Sequence, residues 1–268
     1  MTRTRSFSPP ASSAPSDALD RLAGRIARCR LCPRLVAHRE CVAREKVARF
    51  REWTYWGRPV PGFGDPAARV LVVGLAPAAH GGNRTGRIFT GDESGTWLYA
   101  ALHRAGFANQ PTSRDRDDGL SLHDAYVTAV ARCAPPANRP TPVEIATCRR
   151  WLLAELAALP RLVVVVVLGK VAHDGYLAGE RARGHAVPRP APRFAHGAEH
   201  RLPSGLVLLC SYHPSQQNTF TGKLTRPMLD AVFGRARALL AGHAASMPMY
   251  ASQSTTVSPT LTRTGRRR

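Results

Sequence analysis

Short runs of apolar residues recur along the chain, and longer helix-compatible segments separate them. The runs predict buried strands at 69–74, 125–131, 162–168 and 206–211. The intervening segments predict helices at 16–28, 94–105, 141–159 and 225–241. Strands that alternate with helices are typical of an α/β fold, so we expect a three-layer α/β/α domain around a central, mostly parallel four-stranded sheet.

Capping signals and composition set the expected limits of this domain. Ser16 can cap the first helix, and Thr141, Pro142 and Glu144 form a capping box with proline at the first helical position. Segments 1–15 and 244–268 are rich in Ser, Thr, Pro and Arg and lack hydrophobic periodicity, so we expect disordered basic tails around one domain at 16–243. The acid-free N-terminus also has the composition of a transit peptide, but without an amphipathic period.

The charge of the chain indicates a polyanionic partner. The formal net charge is +20, and setting aside the arginines of the two expected tails leaves +14 on the domain. Neutralising phosphates releases counterions and favours binding, so nucleic acid is the first inference, although an arginine-rich composition alone can arise without it. No apolar run approaches the roughly 20 residues of a membrane span, and we expect a cytoplasmic, nucleoid-associated monomer.

Three polar loops follow the predicted strands, at 75–93, 132–140 and 212–224. Ligands of open α/β sheets bind beyond the carboxyl ends of the strands, where these loops lie. The first loop has neither a Walker nor a Gly-x-Gly-x-x-Gly spacing. Its Phe89 can offer a stacking face or pack in the core, and its Asp92 can act as a carboxylate or cap the next helix. His213, fixed by the following proline, can be an aimed imidazole or cap a turn.

Cysteines indicate a metal centre rather than disulfides, since six are too sparse for a secreted disulfide scaffold. Four of them form two pairs, Cys29 with Cys32 and Cys133 with Cys148. Iron or zinc needs four such ligands, which requires a fold that brings the two pairs together and braces the N-terminal segment to the middle of the chain. We interpret Cys41 as a spare thiol and Cys210 as a core residue.

Four motifs in fixed order carry a family resemblance. They are Gly-Leu-Ala-Pro-Ala-Ala-His-Gly at 74–81, Gly-Arg-Ile-Phe-Thr-Gly-Asp at 86–92, Cys-Ala-Pro-Pro-Ala-Asn-Arg-Pro at 133–140, and His-Pro-Ser-Gln-Gln-Asn-Thr-Phe-Thr-Gly-Lys-Leu at 213–224. Together with the four cysteines, they resemble the uracil-DNA glycosylase superfamily, and within it the iron–sulfur family-five enzymes of the UDGb type. The resemblance covers about residues 20–240.

The resemblance implies specific roles for these residues. The two cysteine pairs would ligate a structural 4Fe-4S cluster. Phe89 would stack on the flipped base and His213 would stabilise the departing base, while Asp92 and Asn138 would be the other catalytic residues. The base-binding set would be Ala76, His80 and Phe89. The expected DNA contacts are Gln216, Gln217, Asn218 and Lys223. Residues 216–220 would fill the gap that the flipped base leaves in the duplex.

The resemblance also implies an activity and a specificity. We expect a monofunctional DNA-repair glycosylase that acts on double-stranded and, as a second form, single-stranded DNA. Apolar Ala76 and Ala129 replace polar residues of strict uracil enzymes, and a pocket with fewer hydrogen-bonding demands rejects other bases less strongly. We therefore expect uracil to be the preferred substrate base, followed by hypoxanthine or other deaminated bases. The alternative is a zinc- or iron–sulfur-braced nucleic-acid-binding protein without catalysis.

Three aromatic residues before the first predicted strand have two interpretations. Trp53, Tyr55 and Trp56 lie together in a polar stretch. We favour packing around the cysteine centre over a stacking platform. Segment 181–201, rich in Arg and His, is expected to be an exposed loop.

Overall fold

The computed structural model describes residues 15–246, so most of both expected tails lies outside the described chain. Its helices are α1 (Pro15–Ala27), α2 (Pro33–Glu45), α3 (Gly82–Thr85), α4 (Glu93–Arg104), α5 (Pro142–Ala158), α6 (Lys170–Ala182), α7 (Gln216–Phe220) and α8 (Arg226–Ser246). Its strands are β1 (Phe63–Gly64), β2 (Val70–Gly74), β3 (Ala125–Ala129), β4 (Val164–Leu168), β5 (Glu199–Arg201) and β6 (Val207–Ser211). Among residues 15–246, no helix is long and apolar enough to cross a membrane.

One mixed sheet runs through the described chain, in the order β1-β3-β2-β4-β6-β5. The four central strands are parallel, and the short β1 and β5 pair antiparallel with the outer two. The central strands are buried along their whole length, as expected for a parallel sheet covered on both faces. The expected four-stranded parallel sheet is confirmed, with two edge strands added.

Helices cover both faces of this sheet and give the expected three layers. On one face, α4 and α8 pack through residues such as Leu98, Leu102 and Phe233. On the other face, α1, α5 and α6 pack through residues such as Leu156 and Tyr176. Residues alternate between the two faces along each strand, so every central strand contributes to both cores.

The structure differs from the sequence prediction mainly in short or polar elements. Helix α2 buries only Leu35, Val36 and Arg39, so its sequence shows no apolar stripe that would have revealed it. Segment 181–201 is not one loop, because α6 extends into it and β5 ends it. The last helix continues to Ser246, past the expected domain limit.

Candidate active site

The strand order places a topological switch point between β2 and β4. The connection after β2 leads to β3 on one side, whereas β4 and β6 follow on the other side. In open α/β sheets, such a switch point opens the crevice at the carboxyl ends of the strands. The loops after β2, β3 and β6 carry the predicted catalytic residues, and the structure brings two of these loops into contact.

Phe89 is held rigidly over the end of β2. Its side chain is only 6% exposed, and its backbone has a φ of 52°, in the left-handed region that non-glycine residues rarely adopt. Glycines make room for it: a Cβ on Gly74 would lie 2.6 Å from the ring, and a Cβ on Gly95 would lie 1.8 Å from the Phe89 carbonyl oxygen. Strained conformations of this kind persist at functional sites where surrounding structure enforces them.

His213 faces this ring from the loop after β6. The centroids of the Phe89 and His213 rings lie 5.7 Å apart with an angle of 32° between the planes. A Cβ on Gly169, at the end of β4, would lie 3.4 Å from the His213 Cβ, and the Asn218 side chain donates to the His213 carbonyl oxygen at 2.8 Å. Burial lowers the pKa of His213 to about 4, so the imidazole is neutral at physiological pH.

Asp92 caps α4 and borders the same loop. Its Oδ1 accepts a hydrogen bond from the Gly95 backbone N–H at 2.9 Å, so the helix-capping alternative holds. A Cβ on Gly81 would lie 2.0 Å from Oδ2, which shows how closely the backbone approaches the second oxygen. Burial raises the pKa of Asp92, opposed by the backbone N–H of Gly95 and the charge of Arg84.

Asn138 and Ala76 occupy less enclosed positions. Asn138 ends the 3-10 turn Pro136–Asn138 after β3, with φ of 56° and an exposed side chain. Ala76 is half-buried two residues beyond β2. Ala129 is fully buried at the end of β3, paired with Gly74 beneath the Phe89 ring. Neither alanine can hydrogen-bond to a base edge with its side chain.

Arg84 supports the loop between β2 and α4, a role that the sequence prediction missed. Its Nε donates to the His80 carbonyl at 2.8 Å and its Nη2 to the Gly91 carbonyl at 3.0 Å. Its Cζ lies 3.9 Å from the Phe50 ring centroid and 4.1 Å from the Trp53 ring centroid. Phe50 and Trp53 are distant from Arg84 in sequence, so no local pattern could reveal these two contacts.

His80 points towards Tyr55 through a hydrogen bond. The Tyr55 hydroxyl and His80 Nδ1 lie 3.1 Å apart. Burial, followed by the charges of Arg49 and Arg84, lowers the pKa of His80. The ring of His80 is thus engaged with the segment before β1.

The segment after His213 forms an exposed prominence. Gln216 and Gln217 are exposed on α7, and Phe220 at its end is 76% exposed. Lys223 is exposed, with its Nζ 4.9 Å from the Tyr212 ring centroid. Asn218 is only half-exposed and is engaged with the His213 carbonyl, so its position is that of a loop support.

A cavity beneath α2 brings the two cysteine pairs together. Its lining includes Cys29, Cys32, Cys133 and Cys148, all as free thiols. Within the described part of the chain, no three His, Cys, Asp or Glu side chains are grouped to hold one metal ion, and the four thiols are instead distributed over the cavity wall.

Hydrogen-bond donors surround these sulfurs. Arg39 Nη1 donates to Cys133 Sγ at 2.9 Å, and the Arg132 backbone N–H donates to Cys148 Sγ at 3.2 Å. The Nε atoms of both arginines and Nε1 of Trp151, which also lines the cavity, are buried without a hydrogen-bond partner in residues 15–246. Such donors fit a thiolate-bound group that carries further acceptor atoms.

Burial disfavours the thiolate form of Cys133 and Cys148. Burial, opposed by Arg39 and Arg132 respectively, raises the pKa of Cys133 to about 11 and that of Cys148 to about 12. Metal binding requires deprotonated thiols, and a cationic group in this cavity would stabilise them.

An ion pair fastens the cysteine region together. Arg34 on α2 donates to both carboxylate oxygens of Glu144 on α5, at 2.8 and 2.7 Å. Glu144 also completes the capping box with Thr141, which confirms the predicted helix start. Arg132 beside the cysteines donates to Glu155 at 2.5 Å, and both are fully buried. The N-terminal helices are thus braced to the middle of the chain.

Comparisons with known proteins agree with the predicted family. Residues 61–237 match the family model described as "Uracil DNA glycosylase superfamily". A "Type-5 uracil-DNA glycosylase" of Thermus thermophilus is 54% identical over 214 residues, which covers 80% of this chain and 94% of that protein. Proteins of the same name from Mycobacterium leprae and Pyrobaculum aerophilum are 51% and 46% identical, covering 85% and 82% of this chain and 98% and 92% of their own lengths.

Proposed function

The chain belongs to the uracil-DNA glycosylase superfamily, and on that premise we propose that it hydrolyses the N-glycosidic bond of uracil in DNA and leaves an abasic site. The observation that carries the proposal is the Phe89–His213 pair at the carboxyl edge of the sheet. A rigid aromatic face and a fixed imidazole are what a flipped base requires, for stacking and for charge stabilisation.

Phe89 binds the flipped base by stacking. The target bond is buried in the stacked duplex, so the nucleotide must leave the helix before reaction, and stacking on the ring offsets part of that cost. Because Gly74 packs against the ring and Gly95 against the Phe89 backbone carbonyl, little side-chain freedom is lost when the base arrives.

His213 stabilises the departing base as a neutral donor. The bond between C1′ and the base nitrogen breaks, its electron pair moves onto the base, and negative charge accumulates on the base oxygen. With a pKa of about 4, the imidazole donates a hydrogen bond to this oxygen and keeps its proton. A preorganised donor at such a position is worth roughly 3–4 kcal/mol.

Asp92 acts on the sugar side of the broken bond. Its Oδ1 is committed to the α4 cap, which leaves Oδ2 for a water molecule or for the cationic sugar. The base leaves as an anion and takes up a proton from the solvent. Water adds to C1′ and loses a proton to the Asp92 carboxylate, which later returns that proton to the solvent. The raised pKa of Asp92 favours this proton acceptance. Asn138, on the neighbouring loop, positions the water.

The pocket accepts bases besides uracil. Ala76 and Ala129 offer no side-chain hydrogen bond to the edge of the base. A base that differs from uracil therefore leaves no buried polar side chain of the protein unpaired at these two positions. Hypoxanthine is the base that we expect to follow uracil in rate. Gln216, Gln217 and Lys223 contact the DNA around the flipped nucleotide, and the exposed Phe220 belongs to the segment that fills its place.

A 4Fe-4S cluster would be held by Cys29, Cys32, Cys133 and Cys148. The cluster would supply a structural cross-link between the N-terminal segment and β3–α5, with no electron transfer in the reaction. Arg39 and Arg132 donate towards the thiolates and moderate their negative charge. The protein would work as a cytoplasmic monomer on double-stranded DNA, with single-stranded DNA as a second substrate form.

The test is cleavage of labelled oligonucleotides that hold one uracil, one hypoxanthine or no lesion, followed by alkali. Alkali-dependent cutting at both lesions is expected. Cutting at uracil alone would refute the broad specificity and leave the uracil activity standing. No cutting by folded, iron-loaded protein would refute the proposed activity.

A further inference from the structure

A groove beside loop 75–93, between β2 and α4, is lined by tryptophan and arginine side chains. We call it the Trp–Arg groove, defined by Trp53, Trp56, Arg58, Arg84 and Arg116. Asp115 and Asp117 line it as well. A second groove shares Tyr55, Trp56 and Arg58 with it and continues towards the N-terminal helices.

Arginines dominate the lining of this surface. The two connected grooves are lined by seven arginines and three acidic residues. Arg58 and Arg116 are exposed, and neither guanidinium has a carboxylate partner within the described chain. Their Cζ atoms lie 5.5 and 4.5 Å from the Trp56 ring centroid, respectively. Two free cationic groups are therefore held over one aromatic ring, which fits an anionic ligand that also has flat faces.

The groove adjoins loop 75–93, which carries Phe89 and Asp92. Arg84 lines the groove and also donates to the Gly91 carbonyl, next to Asp92. Tyr55, shared by the two grooves, bonds to His80 on the same loop. A Cβ on Gly86 would lie 3.0 Å from Trp56, so the indole packs directly on loop 75–93. When one base of a DNA strand occupies the pocket, the neighbouring nucleotides of that strand would therefore lie close to this groove.

We propose that the Trp–Arg groove binds an unpaired segment of the same DNA strand that delivers its base to Phe89. Phosphates lie at Arg58 and Arg116, and one base stacks on Trp53, which is 39% exposed. Aromatic faces interleaved with cationic side chains are the pattern by which proteins bind single strands without sequence preference. The inference rests on the proposed function for the identity of the ligand, and its test is independent of excision.

The test measures binding of a labelled thymidine oligonucleotide, about 16 nucleotides long, by fluorescence anisotropy across a salt series. The double variant Arg58→Gln/Arg116→Gln removes two phosphate contacts. For single strands, the logarithmic salt slope should therefore become less negative by about 1.4, which corresponds to roughly 25-fold weaker binding at about 0.1 M salt. The matched control is Arg161→Gln/Arg201→Gln.

The control removes equal charge at the opposite edge of the sheet. Arg161 precedes β4, and Arg201 pairs with Val207 at the start of β6, so both lie at the amino ends of the parallel strands. This variant should keep the wild-type slope. Equal slopes in the wild type and in both double variants would overturn the phosphate sites.

A second pair of variants tests stacking. Trp53→Ala should weaken binding by roughly 5- to 150-fold, whereas Trp53→Phe, which keeps an aromatic ring, should stay near the wild type. Equal binding by both would overturn the stacking site. Uracil excision by the wild type is measured in parallel. If the wild type excises uracil but the groove variants bind single strands as tightly as the wild type does, the groove proposal alone is refuted. If the groove variants bind more weakly but the wild type does not excise uracil, the proposed function alone is refuted.

Discussion

The rate of uracil excision should not rise as the pH is lowered, because His213 is expected to act as a neutral donor. With a pKa of about 4, roughly one imidazole in three thousand is protonated at about pH 7.5 and roughly one in thirty at about pH 5.5. A mechanism that needed the imidazolium would accelerate about tenfold for each unit of pH lowered. A neutral donor gives a flat profile over this range.

Protonation of Asp92 should lower the excision rate at acidic pH. Burial raises its pKa, so the ionised form that accepts a proton is lost as the pH falls through that raised value. The wild-type rate is therefore expected to be level at neutral pH and to decline on the acidic side. Asp92→Asn should be slow and should lack this decline.

The assay is a single-turnover reaction with excess enzyme and one labelled uracil-containing oligonucleotide, buffered from about pH 5.5 to about pH 8.5. His213→Ala removes the donor and should lower the rate by about 100- to 1000-fold at every pH. His213→Asn keeps an N–H donor and should fall between this variant and the wild type. A wild-type rate that increases tenfold per unit of acidification, and does so only when His213 is present, would refute the neutral donor.

Two further substitutions test the site and its support. Gly81→Ala places a Cβ 2.0 Å from Asp92 Oδ2, so the rate of single-turnover excision should drop by at least about tenfold. The control Gly234→Ala on α8, where nothing lies within 4 Å of the added Cβ, should leave the rate unchanged. Equal rates for the two variants would contradict the close approach of Gly81 to Asp92. Glu155→Gln leaves Arg132 as an uncompensated buried charge and should cost about 3–5 kcal/mol, seen as a melting temperature lower by about 6–20 °C in a circular-dichroism melt. A shift of under about 2 °C would show that the pair is not desolvated.

Continuous apolar runs made the central strands predictable. Each of β2, β3, β4 and β6 is buried on both faces, so its sequence is mostly apolar, with Thr128 in β3 and Ser211 in β6 as the polar exceptions. Strands β1 and β5 have two and three residues, and only their pairing with a neighbour defines them. Local sequence carries no trace of such pairing.

The candidate site was predictable where a side chain follows a strand and unpredictable where it depends on distant packing. Phe89 and His213 follow buried strands, which placed both at the ligand edge, and their ring contact agrees with that placement. Arg84 acquires its support role from Phe50 and Trp53, and no spacing in the sequence encodes that contact. The catalytic roles themselves remain predictions for the assays above.

The Arg34–Glu144 ion pair also sets the earliest time during synthesis at which the cysteine region can finish folding. Glu144 follows Arg34 by 110 residues, and at ribosomal rates of about 5–20 residues per second it is added about 5–20 s later. Cys148 comes later still. The first cysteine pair must therefore wait in the nascent chain as free thiols, and any centre built on all four sulfurs can be loaded only after α5 has left the ribosome.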